Sequence, residues 1–212
     1  MAKRKLMTKK QRRTLATILA SMIALIALIL AFLLVRNFIR QNSSLAQPPI
    51  QVKSIRQQHE EFIQSIAPAA VNSSHNYGIL PSITIAQAIL ESDWGQSQLA
   101  SNYHNLFGIK SDDPNNSQLL ETQEYQNGQW ITISARFRVY ASFEESIQDH
   151  AALLANGTTW NKQQYQHVLA STNYLEAAHN LQRDGYATDP DYTQKIIQII
   201  QKYHLDRYDH QD

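Results

Sequence analysis

Residues 81–97 read Pro-Ser-Ile-Thr-Ile-Ala-Gln-Ala-Ile-Leu-Glu-Ser-Asp-Trp-Gly-Gln-Ser, and their pattern decides the fold. Pro81 suits the first turn of a helix, where its missing N–H is not needed. Beyond it Ile83, Ile85, Ala86, Ala88, Ile89 and Leu90 are apolar nearly all round, which places this helix at the centre of a domain. The only polar line is Thr84, Gln87 and Glu91, spaced i, i+3, i+7 and therefore on one face. A carboxylate ending that line meets either solvent or a cleft, and periodicity alone is equally met by a solvated stripe. Asp93-Trp94-Gly95 then supplies a helix stop beside an indole, an aromatic wall of the kind that stacks on sugar rings and raises a neighbouring carboxyl pKa.

Downstream the period changes from helical to alternating. Around Asn127-Gly128, a strong hairpin signal, lie Leu119 to Gln126 and Gln129 to Val139, rich in Thr, Tyr, Trp, Ile and Val. If those two residues form a type I′ turn, Gln126 faces Gln129, Tyr125 faces Trp130, Glu124 faces Ile131 and Thr122 faces Ile133. Glu121 and Glu124 then lie on opposite faces. Glu124, sharing its face with Ile131 and Ile133, is the better candidate for a functional carboxylate; Glu121 shares its face with Gln123, Thr132 and Ser134. A solvated cross-strand acid is the plain alternative for either.

Helical patterns fill the remainder. Phe62, Ile63 and Ile66 sit at helical spacing, Pro68 interrupts, and a second short helix follows toward Tyr77 and Gly78. Further helices are predicted from Phe143 to Leu154, around Tyr165 to Leu169, from Tyr174 to Leu181 and from Tyr192 to Tyr203. A mostly helical domain with one inserted hairpin is an α+β arrangement.

Charge divides the chain of 212 residues unevenly. Residues 1–40 carry nine Lys/Arg and no acid, whereas residues 41–212 hold 10 basic against 18 acidic side chains. An acidic body argues against nucleic acid as its partner. From Leu15 to Val35 run 21 residues without a charge, enough at about 1.5 Å per residue to span a bilayer core. Seven basic residues precede this run, so the expected orientation leaves the N-terminus in the cytoplasm and the body outside, at the cell membrane. A cleaved signal peptide, with Ser44-Leu45-Ala46 as its small-residue site, or a buried core helix are the alternatives. The expected layout is a basic tail over 1–14, a transmembrane anchor over 15–35, a linker over 36–54, one globular domain over 55–205 and a tail over 206–212.

Several chemistries find no support. Cysteine is absent, which removes thiol nucleophiles and Cys-ligated metals. The eight His lack metal-helix spacing, and His150, His167 and His179 read as capping, surface or core residues. Asp112-Asp113-Pro114-Asn115-Asn116 lacks the Gly and bidentate Glu of a calcium loop and reads as a turn. No phosphate-cradling glycine loop and no Gly-x-Ser-x-Gly elbow occurs.

Five segments taken in order carry a more specific signal. They are residues 87–97 already quoted, Asn105-Leu106-Phe107-Gly108-Ile109-Lys110, Thr122-Gln123-Glu124-Tyr125, Phe137-Arg138-Val139-Tyr140, and Gly185-Tyr186-Ala187-Thr188-Asp189-Pro190 followed by Tyr192. Together they resemble glycoside hydrolase family 73, the bacterial endo-β-N-acetylglucosaminidases that cut peptidoglycan. Asp93 departs from the family pattern, which often has Gly there. The resemblance implies a lysozyme-like fold with the glycan in a groove between helical body and hairpin lobe, and Glu91 as general acid. It carries the second carboxylate onto Glu124 and the active-site tyrosine onto Tyr186, with Trp94, Asn105, Phe107, Tyr125 and Tyr192 as substrate-binding positions. It leaves open inversion through a Glu124-activated water or participation of the sugar's 2-acetamido group positioned by Tyr186, and neither route requires a metal or other cofactor. A muramidase cutting the other glycosidic bond, or a non-catalytic wall-binding module, are the rival functions.

Overall fold

The computed structural model describes residues 29–38, 53–126 and 129–210, the side chains of 123–126 and 130 excepted. The chain divides into two units, Met1–Val52 and Lys53–Asp212. In the first, residues 29–38 form a helix, α1, with exposed side chains. Among the described residues no helix is long and apolar enough to cross a membrane. The anchor expected over 15–35 lies mostly outside the described residues, as do the tail 1–14 and most of the linker.

The second unit runs α2 (Ile55–Tyr77), α3 (Pro81–Ser92), α4 (Gln98–Tyr103), β1 (Ser117–Gln126), β2 (Gln129–Arg138), α5 (Phe143–Asn156), α6 (Gln166–Leu169), α7 (Tyr174–Arg183) and α8 (Tyr192–Tyr203), with short 3₁₀ turns at Pro114–Asn116 and Leu205–Tyr208. This is a mostly helical α+β domain with a two-stranded sheet. α3 is its axis, packed against α2, α7 and α8, and every residue from Pro81 to Ile89 is buried. Ile83, Ile85 and Ile89 each contribute roughly 1.5–3 kcal/mol by leaving water.

The start of α3 has no side-chain cap of its own. Asp209 supplies one from the far end of the chain, accepting from the Ser82 N–H at 2.8 Å and the Ser82 hydroxyl at 2.7 Å. Of the tail expected over 206–212, residues up to Asp209 are held to the domain through this contact, and Leu205 before it is fully buried. Sequence separation hid the contact.

Two helical expectations need correction. Pro68 does not divide its segment: α2 runs unbroken from Ile55 to Tyr77 with Pro68 inside. An interior proline costs about 3 kcal/mol, but Pro68 faces solvent, where water can serve the freed carbonyl. Phe62, Ile63, Ile66, Ala67, Ala70 and Ser73 meanwhile keep one buried face continuous across it. The short α4 was not foreseen; Ser97 caps it by accepting from the Ala100 N–H at 3.2 Å.

β1 and β2 pair antiparallel in the register expected from the turn, with Gln126 opposite Gln129, Tyr125 opposite Trp130, Glu124 opposite Ile131 and Thr122 opposite Ile133. Asn127 and Gly128 themselves lie outside the described residues. A lone hairpin is marginal in water, and this one is fastened at its base. Arg138 N–H donates to the Ile109 carbonyl at 2.9 Å, Phe137 is buried, and the Arg138 guanidinium reaches both Asp149 oxygens on α5 at 2.8 and 2.7 Å. Asp113 caps the turn at Pro114–Asn116 through the Asn115 N–H, as the turn reading expects.

Candidate active site

A groove of about 1030 Å³ opens beside the end of α3, with Glu91, Phe107, Arg138, Tyr165, Tyr186 and Tyr192 among its lining residues. Glu91, next to last in α3, ends a polar line whose other members, Thr84 and Gln87, are 1% and 0% exposed. The line is therefore no solvated stripe. Glu91 alone reaches solvent, through the groove.

Gln87 is tied to Glu91 through Tyr192 at the start of α8. Gln87 Nε2 donates to the Tyr192 hydroxyl at 3.0 Å, and that hydroxyl donates to Glu91 Oε1 at 2.9 Å. Because the Gln87 amide nitrogen can only donate, the Tyr192 proton is left to the carboxyl. Protein closes in on Glu91 from the remaining sides, and this desolvation raises its pKa; the Tyr192 bond pulls it down and the Asp189 charge adds a further rise. The outcome is an acid that keeps its proton to higher pH than an ordinary glutamate, the property a proton donor needs.

Tyr186, on the loop after α7, is held well above the usual tyrosine pKa, first by burial and then by the Glu91 charge, so it stays a neutral hydroxyl. Its oxygen lies 3.1 Å from His150 Nε2. His150 is fully buried on α5, stacked on Phe107 with ring centroids 3.8 Å apart, and burial depresses its pKa to about 3. Its Nδ1 meets no hydrogen-bonding group among the described residues. A buried N–H without an acceptor is rarer than an unused lone pair, which assigns the single proton to Nε2. His150 then donates to Tyr186, which leaves the proton of that groove-lining hydroxyl free for another acceptor.

The site residues expected from sequence separate into distinct positions. Glu91, Phe107, Tyr186 and Tyr192 come together at the groove. Tyr192 binds the candidate acid, and Phe107, 7% exposed, supports His150. Asn105 is placed differently from the expectation of a substrate contact: it is buried, donates to the Ile109 and Arg138 carbonyls at 2.9 Å each, and accepts from the Phe107 and Ile109 N–H groups. Its amide is fully used in holding the 105–109 loop to the hairpin base. For Glu124 and Tyr125 the backbone pairing is established and their side chains lie outside the described residues.

Trp94 also departs from the expected place. It stacks on His59 at 3.5 Å and meets Phe62 and Tyr203 edge-on, so it packs against α2 and α8 and is not among the groove-lining residues. Burial is the main cause of the raised Glu91 pKa. Asp93 has φ +49°, which explains how the chain departs from the family's frequent Gly: the position needs left-handed backbone, and aspartate is among the side chains that adopt it most readily. Gly95 lies where a Cβ would stand 2.7 Å from the Phe62 ring. Of the capping, surface and core positions expected for His150, the core is the one it takes, and its link to Tyr186 has no signal in sequence spacing.

A family model described as mannosyl-glycoprotein endo-beta-N-acetylglucosaminidase matches residues 67–205, nearly all of the helical body and hairpin that build this groove. The chain belongs to the glucosaminidase family. Among its family relatives, exo-glucosaminidase LytG of Bacillus subtilis is 49% identical over 164 residues, covering 76% of this chain and 58% of LytG. A probable N-acetylmuramidase of Lactococcus lactis subsp. lactis is 41% identical over 167 residues, covering 78% of this chain and 38% of that protein. The catalytic domain of the autolysin Auto from Listeria monocytogenes superimposes with a TM-score of 0.67 at 34% identity, covering 82% of this chain and 97% of that domain. This glucosaminidase-family chain thus spans little more than half the length of LytG and less of the Lactococcus protein.

Proposed function

We propose that this chain hydrolyses the β-1,4 glycosidic bond that follows N-acetylglucosamine in peptidoglycan glycan strands, with Glu91 as the general acid. The observation that carries the reading is Glu91 itself: a groove carboxyl with a raised pKa, oriented by Tyr192, inside a glucosaminidase-family domain. Protonating the glycosidic oxygen from this position generates the oxocarbenium-like centre that retaining and inverting routes share. Glu124, on the hairpin face with Ile131 and Ile133, is the proposed base for water. Tyr186, its proton free for the groove, is the proposed donor that would hold an acetamido group should that group attack instead. A metal has no part in either route as proposed.

The test is Glu91→Gln, which keeps shape and removes the acid. Hydrolysis of purified peptidoglycan should fall about 10²–10⁴-fold with folding intact. Mass spectrometry of wild-type digests should show N-acetylglucosamine at the new reducing end. Retained hydrolysis by the variant refutes the acid assignment. N-acetylmuramic acid at the reducing end supports the second reading, a muramidase, which the name of the Lactococcus relative favours. Release of single sugars, as the name of LytG suggests, would make the action exo rather than the endo cleavage first expected.

The site of action proposed is the outer face of the cytoplasmic membrane, with residues 15–35 as an uncleaved anchor. The support is the 21-residue uncharged run and its basic leading flank. Protease added to wall-stripped cells should digest the body, and a soluble species starting near Gln47 would replace the anchor with a signal peptide.

A further inference from the structure

Trp160 is 80% exposed, the most exposed large apolar side chain among the described residues, and it lines the groove that holds Glu91. It stands on the loop between α5 and α6, and that loop is tightly built. Gly157, at φ +67°, turns the chain so closely that a Cβ there would lie 2.4 Å from the Asn161 carbonyl oxygen. The Thr158 N–H donates to that same carbonyl at 2.9 Å, the Asn161 N–H returns a bond to Thr158 Oγ1 at 3.1 Å, and the Gln163 N–H donates to Asn161 Oδ1 at 3.1 Å.

The loop is also fastened to the segment carrying Tyr186. Thr158 Oγ1 donates to Gln164 Oε1 at 2.9 Å, and Gln164 Nε2 donates to the Asp184 carbonyl at 3.2 Å, two residues before Tyr186. An indole carries one of the largest hydrophobic areas of any side chain. Here a hydrogen-bonded loop presents it to the water of the groove, in fixed relation to the active-site tyrosine.

We propose that Trp160 is the stacking platform of a further saccharide subsite at the groove rim, taking one pyranose ring of the glycan strand. The inference rests on the groove being the glycan site. A pyranose offers a flat C–H face that matches the indole and a rim of hydroxyls. The same loop brings Thr158 and Gln164, a hydroxyl and an amide, to the groove lining beside Trp160.

The experiment uses the full chain and glycan strands graded by length. Trp160→Ala should raise KM for long strands about five- to tenfold, the scale of one aromatic stacking contact, with kcat and the thermal midpoint unchanged. The increase should shrink as strands shorten, and Trp160→Tyr should restore most of the loss. KM unchanged at every length overturns the subsite, and so does an equal loss at all lengths, which marks a structural role. Wild-type chain inactive on every strand overturns the glycosidase reading together with the subsite, and that outcome is told apart because it precedes any substitution.

Discussion

Tyr192 donates its hydroxyl proton to Glu91 across 2.9 Å, from a helix that begins 101 residues further along the chain. The contact joins the axial helix of the core to the groove, and it opposes the effect of burial on the same carboxyl.

Removing that donor should therefore be visible in pH dependence. In Tyr192→Phe the downward pull on Glu91 is lost, so its pKa rises and the protonated acid persists to higher pH. The alkaline limb of the kcat/KM profile should move upward in pH. Stability should fall by about 1–3 kcal/mol, since Gln87 Nε2 is left buried without its acceptor. An alkaline limb that stays in place would assign it to another group.

The raised Glu91 pKa also has a stability consequence. A folded pKa above the unfolded one gives a contribution that is complete below the unfolded value and lost as pH rises through the folded one. Glu91→Gln, lacking the charge, escapes that loss. Its thermal midpoint should exceed wild type at pH 7, and the gap should close toward pH 4. Calorimetry at the two pH values measures it.

On the hairpin, the register predicts different outcomes for two acids three residues apart. Glu121, exposed and opposite Ser134, should tolerate Gln with less than a twofold change in peptidoglycan hydrolysis. Glu124→Gln should cost about 10²-fold or more if it activates water, with partial rescue by azide and inverted product. If the acetamido group attacks, the loss should be smaller and Tyr186→Phe should match it. A larger loss at Glu121 than at Glu124 would overturn the face assignment.

His150 should make the domain acid-sensitive. Its folded pKa of about 3 lies below the roughly 6.5 of a free imidazole, so the stability it contributes is present above that value and lost as pH falls toward 3. The expected slope from this one group approaches 1.4 kcal/mol per pH unit. Denaturant unfolding across that range should show it, and His150→Gln, which retains an amide donor for Tyr186, should flatten it. Nitrogen NMR of the wild type should place the His150 proton on Nε2.

Local chemistry accounts for what could be read from the chain alone. The all-round apolar pattern after Pro81 is a property of consecutive residues, and it located the central helix and the line ending in Glu91. The register expected from Asn127-Gly128 agrees with the pairing of β1 and β2 for the same reason, since side-chain alternation is local. The limits of α8 followed from its own periodicity.

Contacts between distant residues belonged to the tertiary structure. It seated Trp94 against His59 instead of beside Glu91, spent the Asn105 amide on the hairpin base, and carried Pro68 through an unbroken helix because the buried face on either side outweighed one lost hydrogen bond. It also brought His150 to Tyr186 and Asp209 to Ser82. Each of these depends on which surfaces meet when helices pack, and helical periodicity states which face is buried without naming the residue that lies against it.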